Sequence, residues 1–401
     1  MSQLPDKQKD KDNPHVPLPS QAGANEELVV EAVETPARRV RAAWLSGPDT
    51  PSALGRILQP LAIGLMDEMV DVVALCPQQA DVRELPNPPV DVLPYGRPPW
   101  WSFRDRTLDR LADQLRRRKV QLVHALEVSV ADLARDLAAL LEVPYLVNSF
   151  TLQAGGWQVR AEHGAWSVLA ASDIIRQDLL DRRVSGEAQT RLVRPGIYQV
   201  RNPTCFIYPQ HHVVIAAGGR LDDFVAFDAV LRTFAEIRKR KYDSIFFIIG
   251  NGRNERLIRD QARKLGLLHD LTFVDRPSGT QLAGIFKAAD LYISPVVERD
   301  IDINSLLAMA AGVPVLACGS GASDFLVQDD TALFFRQGDT AQLTETLCRL
   351  LDDHAAASAI AAAALDHLRA RHSPTHMIGR YAEIYRQAAE GAIPVAAATA
   401  G

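Results

Sequence analysis

The stretch that decides the fold is LYISPVVERDIDINSLLAMAAGVPVLA, residues 291–317. It opens with the short apolar run LYIS, which is typical of a buried parallel strand. A polar loop then leads into INSLLAMAAG, whose apolar spacing predicts a helix that ends at Gly312. The apolar run VPVLA follows at once. A strand, a helix and a strand in immediate succession predict one unit of a parallel α/β sheet.

The composition is that of an ordinary globular chain, with 401 residues, 47% hydrophobic and 23% charged. This length suits two domains. The formal net charge of −5 argues against nonspecific nucleic-acid binding, which needs a dense positive field. The four cysteines form no CxxC pair, so we predict reduced thiols and no metal site.

Both ends of the chain are expected to be unstructured. Residues 1–37 are charged, contain prolines and have few large apolar side chains, so we predict a disordered tail. Residues 391–401 predict a second flexible tail. No run reaches the ~18 apolar residues of a membrane span, and the N-terminal stretch lacks the apolar core of a signal peptide. We therefore expect a cytoplasmic protein.

One segment suggests at most a peripheral membrane contact. The sequence FRDRTLDRLADQLRRRK, residues 103–119, spaces leucines along one helix face and ends in four cations. Such a helix can rest on an anionic membrane surface. An ordinary amphipathic helix with a solvated polar face is the favoured interpretation.

Apolar strands alternate with amphipathic helices along the chain from residue 39. The alternation predicts open parallel sheets with helices on both faces, and the turn-rich segment 194–210 separates two such series. The first series has the strands RVRAAWLSG, MVDVVALCP, VQLVHALE, VPYLVNSF and GAWSVLAAS, and the second has HHVVIAAGGRL, YDSIFFIIGNG, DLTFVDR, DLYISP and VPVLACG.

This organisation predicts two doubly wound Rossmann-type α/β domains that face each other across a cleft. The predicted boundaries are 38–205 for the N-terminal domain and 206–375 for the C-terminal domain. A last helix, 376–390, is expected to cross back to the first domain. Ligands of such sheets bind outside the carboxyl ends of the strands, so we expect the site in the cleft.

Several segments resemble, in order and spacing, the GT-B glycosyltransferases of family 4. The resemblance runs over residues 212–388 and, more weakly, over 39–200. It is carried by GGRLDDFVAFDAVLRTF, IIGNG, LAGIFKAADLYISP and LLAMAAGVPVLACGSGASDFLVQDDTALFF. It implies a nucleotide sugar, expected to be a UDP- or GDP-sugar, on the C-terminal domain. It also implies a glycan or lipid-linked acceptor on the N-terminal domain.

The resemblance further implies a retaining transfer that requires no cofactor and no metal. In such a site, cations stabilise the diphosphate as it leaves. Acidic groups hold the ribose and sugar hydroxyls, and glycines let backbone amides approach the ligand.

Gly219 and Arg220 stand where the family places its diphosphate site, in the stretch AAGGRL. The arginine is suited to pair with phosphate oxygens. The family's lysine, five residues on, is replaced here by Val225, so half of the positive charge is missing. Gly250 and Gly252 match the family's next glycine turn, which either approaches the donor or only turns the chain.

The acidic positions of the family are altered in the stretch quoted first. The second donor glutamate of the family falls on Leu307, and the first falls on Arg299. The flanking carboxylates Glu298 and Asp300 are placed to contact the sugar. We therefore predict Arg220, Glu298 and Asp300 as the catalytic residues.

Three further positions bear on donor binding. Asn304 and Ser305 begin the helix of the quoted stretch, where hydrogen bonds to an anion are favoured. Simple capping of the helix is the favoured interpretation of both. Phe150 stands where many relatives carry a histidine that faces the donor sugar.

Two classes of function follow. The first is a glycosyltransferase, which the resemblance favours. The second is a catalytically degenerate relative that binds a protein partner or acts as a scaffold. The four altered family positions favour the second class, since losing one charge-stabilising donor costs about 10² to 10³ in rate.

Overall fold

A computed structural model of the chain describes residues 39–86, 89–96, 104–152, 165–207 and 212–391. The tails predicted at 1–37 and 391–401 lie outside these residues, apart from Gly391.

The first half of the described chain forms a parallel sheet of order β3-β2-β1-β4-β5-β6-β7. The order changes direction between β1 and β4, so the carboxyl ends of these two strands form a topological switch point. The strands are β1 Val40–Leu45, β2 Val70–Pro77, β3 Asp91–Tyr95, β4 Leu122–Ala125, β5 Tyr145–Ser149, β6 Ala165–Ala170 and β7 Thr190–Leu192.

Helices cover both faces of this sheet, which explains why its central strands are apolar along their length. Helix α1 packs on one face, while α2 and α3 pack on the other. Ser172 caps the start of helix α4, because its hydroxyl accepts a 3.1 Å hydrogen bond from the amide of Ile175. The helices are α1 Thr50–Asp67, α2 Arg104–Arg117, α3 Ala131–Leu141 and α4 Asp173–Asp181.

Residues 193–207 contain neither helix nor strand, and a second parallel sheet follows them. Its order is β10-β9-β8-β11-β12-β13, which puts its switch point between β8 and β11. Two sheets of this kind confirm the prediction of two doubly wound α/β domains. The strands are β8 Val213–Gly218, β9 Ser244–Ile249, β10 Leu271–Val274, β11 Leu291–Ser294, β12 Val315–Ala317 and β13 Ala332–Phe334.

The second sheet is also covered on both faces. Helices α5, α6 and α9 pack on one face, and α8 and α10 pack on the other. The stretch quoted first forms β11, α8 and β12, with Tyr292 opposite Val315 in parallel register. The helices are α5 Phe224–Lys239, α6 Glu255–Lys264, α7 Gly279–Ala288, α8 Ile303–Ala310, α9 Thr340–Asp352 and α10 His354–Arg371.

Helix α11, Pro374–Ala389, returns to the first sheet, where it packs against α1, β1 and β4. A buried polar network fixes it there. Trp44 Nε1 donates to Tyr385 Oη at 2.8 Å, and that hydroxyl lies 2.6 Å from His124 Nδ1. Tyr381 Oη donates to Asn148 Oδ1 at 3.0 Å. Burial lowers the pKa of His124 to about 3, so the imidazole is neutral.

Candidate functional site

The floor of the candidate site is made by the glycine turns that follow β8 and β9. Gly219 and Gly250 have φ of 144° and 129°, values that only glycine adopts readily. A Cβ on Gly250 would lie 2.1 Å from the carbonyl oxygen of Gly219, and one on Gly252 would lie 2.4 Å from the carbonyl carbon of Leu221. The two turns therefore interlock backbone against backbone, and three of the predicted glycines have this structural role.

Arg220 projects from the turn after β8. Its Nε and Nη2 donate to Asp222 Oδ2 at 3.0 and 2.7 Å. This ion pair raises the pKa of the Arg220 guanidinium. The side chain is still 72% exposed, so the guanidinium remains accessible to a ligand.

Glu298 lies opposite Arg220, in the loop after β11. Its carboxyl group lies beside the turn after β8, since a Cβ on Gly219 would be in ordinary contact with Glu298 Oε1, at 3.5 Å. Burial and the neighbouring Asp302 carboxylate raise the pKa of Glu298, although the Arg220 backbone amide acts in the opposite direction. The site thus places a partly desolvated carboxyl group beside an accessible cation.

Arg220 and Glu298 line one pocket of about 310 Å³ at the switch point between β8 and β11. Phe224, at the start of α5, supplies an apolar wall. Arg253, in the turn after β9, lines the same pocket and was not predicted from the sequence. A usable signal exists, because Arg253 follows the glycine turn of a strand adjacent to β8.

Helix α8 is capped by Asp302 rather than by the residues predicted to bind an anion. Asp302 Oδ1 accepts from the amide of Ser305 at 2.9 Å, and Oδ2 accepts from the hydroxyls of Ser305 and Ser294. Ser305 is fully buried, and neither it nor Asn304 lines the pocket. Asn304 lies near Gly218, where a Cβ would be 3.4 Å from its Nδ2 atom.

Asp300 does not line the pocket either. It lies in a short backbone ladder that joins the loop after β11 to the end of β5. Ile301 N donates to Phe150 O, and Leu152 N donates to Arg299 O, both at 2.8 Å. Arg299 Nη2 also donates to Leu152 O at 2.9 Å. The two domains are therefore hydrogen-bonded to each other at the residues where the family resemblance places donor contacts.

A second interdomain contact lies at the start of α7. The side chain of Arg56 donates to the carbonyl of Gly279, and the amide of Gly279 donates to Glu84 Oε1 at 3.0 Å. A side chain at Gly279 would collide with both partners, since a Cβ would lie 2.7 Å from Glu84 Oε2. The first domain also contacts the second at α4, where Ser172 Oγ donates to the carbonyl of Ala322 at 2.6 Å.

The altered family positions have distinct surroundings. Val225 is 65% exposed in the first turn of α5. The preceding residue, Asp223, caps the start of that helix, because Asp223 Oδ1 accepts a hydrogen bond from the amide of Ala226 at 3.0 Å. Leu307 and Phe150 are partly buried and pack against core side chains.

The described residues contain neither a metal-binding cluster nor a membrane-spanning helix. No group of three or more histidine, cysteine or acidic side chains there is arranged to hold a metal ion. None of the described helices combines the length and apolar character needed to cross a membrane.

Comparison with known proteins matches the second domain to a family. Residues 212–353 match the family model for glycosyl transferases group 1. D-inositol 3-phosphate glycosyltransferase of Corynebacterium aurimucosum is 28% identical over 193 residues, 46% of this chain and 46% of that protein. The match therefore spans less than half of that relative. Glycogen synthase of Mycobacterium tuberculosis is 24% identical over 396 residues, covering 88% of this chain and 95% of that protein.

Solved structures resemble the chain over most of its length. A glycosyltransferase from Rickettsia africae has a TM-score of 0.70 at 13% identity, covering 87% of this chain and 98% of that one. The Anabaena protein HepE, in complex with UDP and glucose, has a TM-score of 0.68 at 14% identity, covering 86% and 99%. At these identities the likeness is one of fold.

The two sheets, with a pocket at the switch point of the second, define an α/β protein of the GT-B class. Within that class, the resemblance to the group 1 glycosyltransferases is confirmed, and it is carried by the second domain.

Proposed function

We propose that the chain binds a nucleotide sugar at the pocket between β8 and β11 and transfers its sugar to a glycan or lipid-linked acceptor. The observation that carries the proposal is the convergence of Arg220 and Glu298 on that pocket. The domain that supplies both residues is the one that matches the group 1 glycosyltransferases.

The chemistry assigns a separate task to each side chain. Cleavage of the bond between the anomeric carbon and the diphosphate leaves negative charge on the diphosphate. The exposed Arg220 guanidinium stabilises that charge, which is the largest contribution in many enzymes. Glu298 holds a hydroxyl of the donor. Burial and the Asp302 carboxylate raise its pKa and so favour the neutral carboxyl form, which does not repel the diphosphate.

The donor class is inferred from the resemblance and from one structural relative. HepE is described in complex with UDP and glucose, and on this basis a UDP-sugar is the first donor to test, with a GDP-sugar second. Transfer with retention, and without a metal or other cofactor, is part of the same proposal. The charge of the leaving group would then be neutralised by side chains alone.

Calorimetry with UDP, GDP, UDP-glucose and GDP-mannose tests donor binding, and release of free nucleoside diphosphate tests turnover. We expect Arg220→Ala to weaken nucleotide binding by about tenfold or more, as removal of a charge-assisted hydrogen bond does. Arg256→Ala is the matched control, because Arg256 is exposed on α6 and does not line the pocket. Absence of binding by a cooperatively melting wild-type protein would contradict the proposal.

A second candidate is a relative that does not transfer sugar and serves as a binding or scaffold subunit. The interdomain ladder between residues 150–152 and 299–301 favours it, because those backbone groups bond to each other instead of to a donor. The same release assay separates the candidates. Nucleotide binding without release of nucleoside diphosphate from any donor supports the second candidate, and multiple turnovers exclude it.

A further inference from the structure

Arg253 is a second cation on the wall of the candidate donor pocket. It follows Gly252 in the turn after β9, and it faces the same 310 Å³ space as Arg220 and Glu298. Among the described residues, no carboxylate forms an ion pair with its guanidinium, whereas Arg220 is held by Asp222. The Arg253 side chain is therefore available to a ligand.

One carboxylate links the two arginines. Asp222 Oδ2 accepts from the Arg220 side chain, and Asp222 Oδ1 accepts from the backbone amide of Arg253 at 2.9 Å. Asn254 Nδ2 donates to the Asp222 carbonyl at 2.6 Å. Leu221 N donates to Asn251 O at 2.9 Å, and Asn254 N donates to Leu221 O at 3.0 Å, so backbone hydrogen bonds join the two turns. The spacing between the two turns that carry the arginines is thus set by hydrogen bonds to the backbone.

The hydrogen-bond donors that line the pocket favour a ligand with several acceptor oxygens. Asp222 and Asp223 also line it, but hydrogen bonds to neighbouring groups occupy both oxygens of each carboxylate. The two guanidinium groups have donors to spare, since each carries five N–H groups and accepts none. A diphosphate has more acceptor oxygens than a single phosphate, so it can accept hydrogen bonds from both guanidinium groups at once.

We propose that Arg253 binds the diphosphate of the nucleotide together with Arg220, in place of the lysine that Val225 replaces, and that Asp222 positions both arginines. This inference rests on the proposed function, because it names the groups that recognise the donor in the same pocket. It extends the proposed function by making diphosphate selectivity depend on a residue of the β9 turn.

The test is calorimetric binding of UDP and UMP to the full chain and to single variants. We expect Arg253→Ala to weaken UDP binding by about tenfold or more and to change UMP binding much less. Arg253→Lys should recover part of the lost affinity, because lysine restores the positive charge but not the paired N–H donors of the guanidinium group. Arg256→Ala, three residues further on and outside the pocket, should bind both nucleotides as the wild type does.

The positioning role of Asp222 is tested by comparing the effect of Asp222→Asn on UDP binding with and without the two arginines. If it acts through the arginines, Asp222→Asn weakens UDP binding in the wild-type background but adds little to the double variant Arg220→Ala, Arg253→Ala. A purely structural role would instead lower the melting temperature and reduce UDP and UMP binding alike in every background. That pattern would overturn the positioning role.

The outcomes separate the inference from the proposed function. If the wild type binds UDP, Arg220→Ala weakens that binding and Arg253→Ala does not, the inference is overturned and the proposed function stands. If Arg253→Ala lowers UDP and UMP affinity equally, the residue does not recognise the diphosphate, and the inference is again overturned. If the folded wild type binds no nucleotide, the inference and the proposed function are both wrong.

Discussion

Replacing Tyr385 with phenylalanine removes one hydroxyl that serves two buried partners. Trp44 Nε1 donates to that hydroxyl at 2.8 Å, and His124 Nδ1 lies 2.6 Å from it. All three side chains are fully buried, and the phenyl ring retains the apolar packing. A buried donor or acceptor left without a partner costs about 1–3 kcal/mol. Two such groups predict a loss of about 2–6 kcal/mol in the free energy of unfolding.

The assay is urea unfolding followed by circular dichroism, with Tyr381→Phe as the matched control. Tyr381 sits one turn earlier on α11, and its hydroxyl serves a single partner, Asn148. We therefore expect the control to lose about 1–3 kcal/mol. A Tyr385→Phe variant that loses no more stability than the control would refute the reasoning, because the cost would then not follow the number of partners left unsatisfied.

Three further outcomes are expected. The pKa of His124 is about 3 in the folded protein, below the ordinary value of 6.5. The unfolded chain therefore binds a proton at this residue before the folded chain does. The free energy of unfolding should be unaffected by His124 above pH 6.5 and should fall by about 1.4 kcal/mol for each pH unit below 6.5. His124→Gln should flatten the dependence of unfolding free energy on pH between 6.5 and 4.5, and an unchanged slope would exclude His124 as its source. Gly250→Ala should destabilise by at least about 2 kcal/mol, since its Cβ would lie 2.1 Å from the Gly219 carbonyl oxygen. Gly379→Ala is the control on α11, where an added Cβ would meet nothing within 4 Å, and it should stabilise the protein by up to about 1 kcal/mol. The melting temperature should fall for Gly250→Ala and rise for Gly379→Ala, and any other pattern contradicts these two predictions. Val225→Lys should tighten UDP binding about tenfold in calorimetry, and a change no larger than that of Val225→Met rules out the lysine position.

The sequence contained enough information to predict the architecture. The central strands are short apolar runs that are largely buried on both faces, as in VRAAWL and LYIS, and such runs between amphipathic helices indicate a parallel sheet. The quoted stretch folded as predicted, with a strand on each side of α8. These signals are local, so a single sequence is sufficient to find them.

The strands that the sequence did not predict lie at the edges of the sheets. Strands β3, β7 and β13 are edge strands of three to five residues. Strand β3 contains Pro94 and is mostly not buried, so its sequence has no continuous apolar run. Helix α1 begins at Thr50, and Pro51 fits its first turn.

The candidate site was predictable only in part, because its contacts join distant segments. Arg220 and Glu298 were predicted from motifs, and the structure brings them to one pocket. The pairing of residues 150–152 with 299–301 depends on how the two domains meet, and no local pattern records that. Asp302 could have been recognised as a cap, since it stands three residues before Ser305 in a helix-starting position.

The return of α11 to the first sheet determines the order in which the protein can be completed during synthesis. Met377, Tyr381 and Tyr385 are buried in the same core as Trp44 and Leu61, although more than 300 residues separate them in sequence. Domains usually fold from the N-terminus as they leave the ribosome. Here the first domain emerges early but lacks part of its own core until the last helix has been made. Until then, Trp44 and His124 lack the Tyr385 hydroxyl that both contact in the folded chain. We therefore expect this interval to favour aggregation.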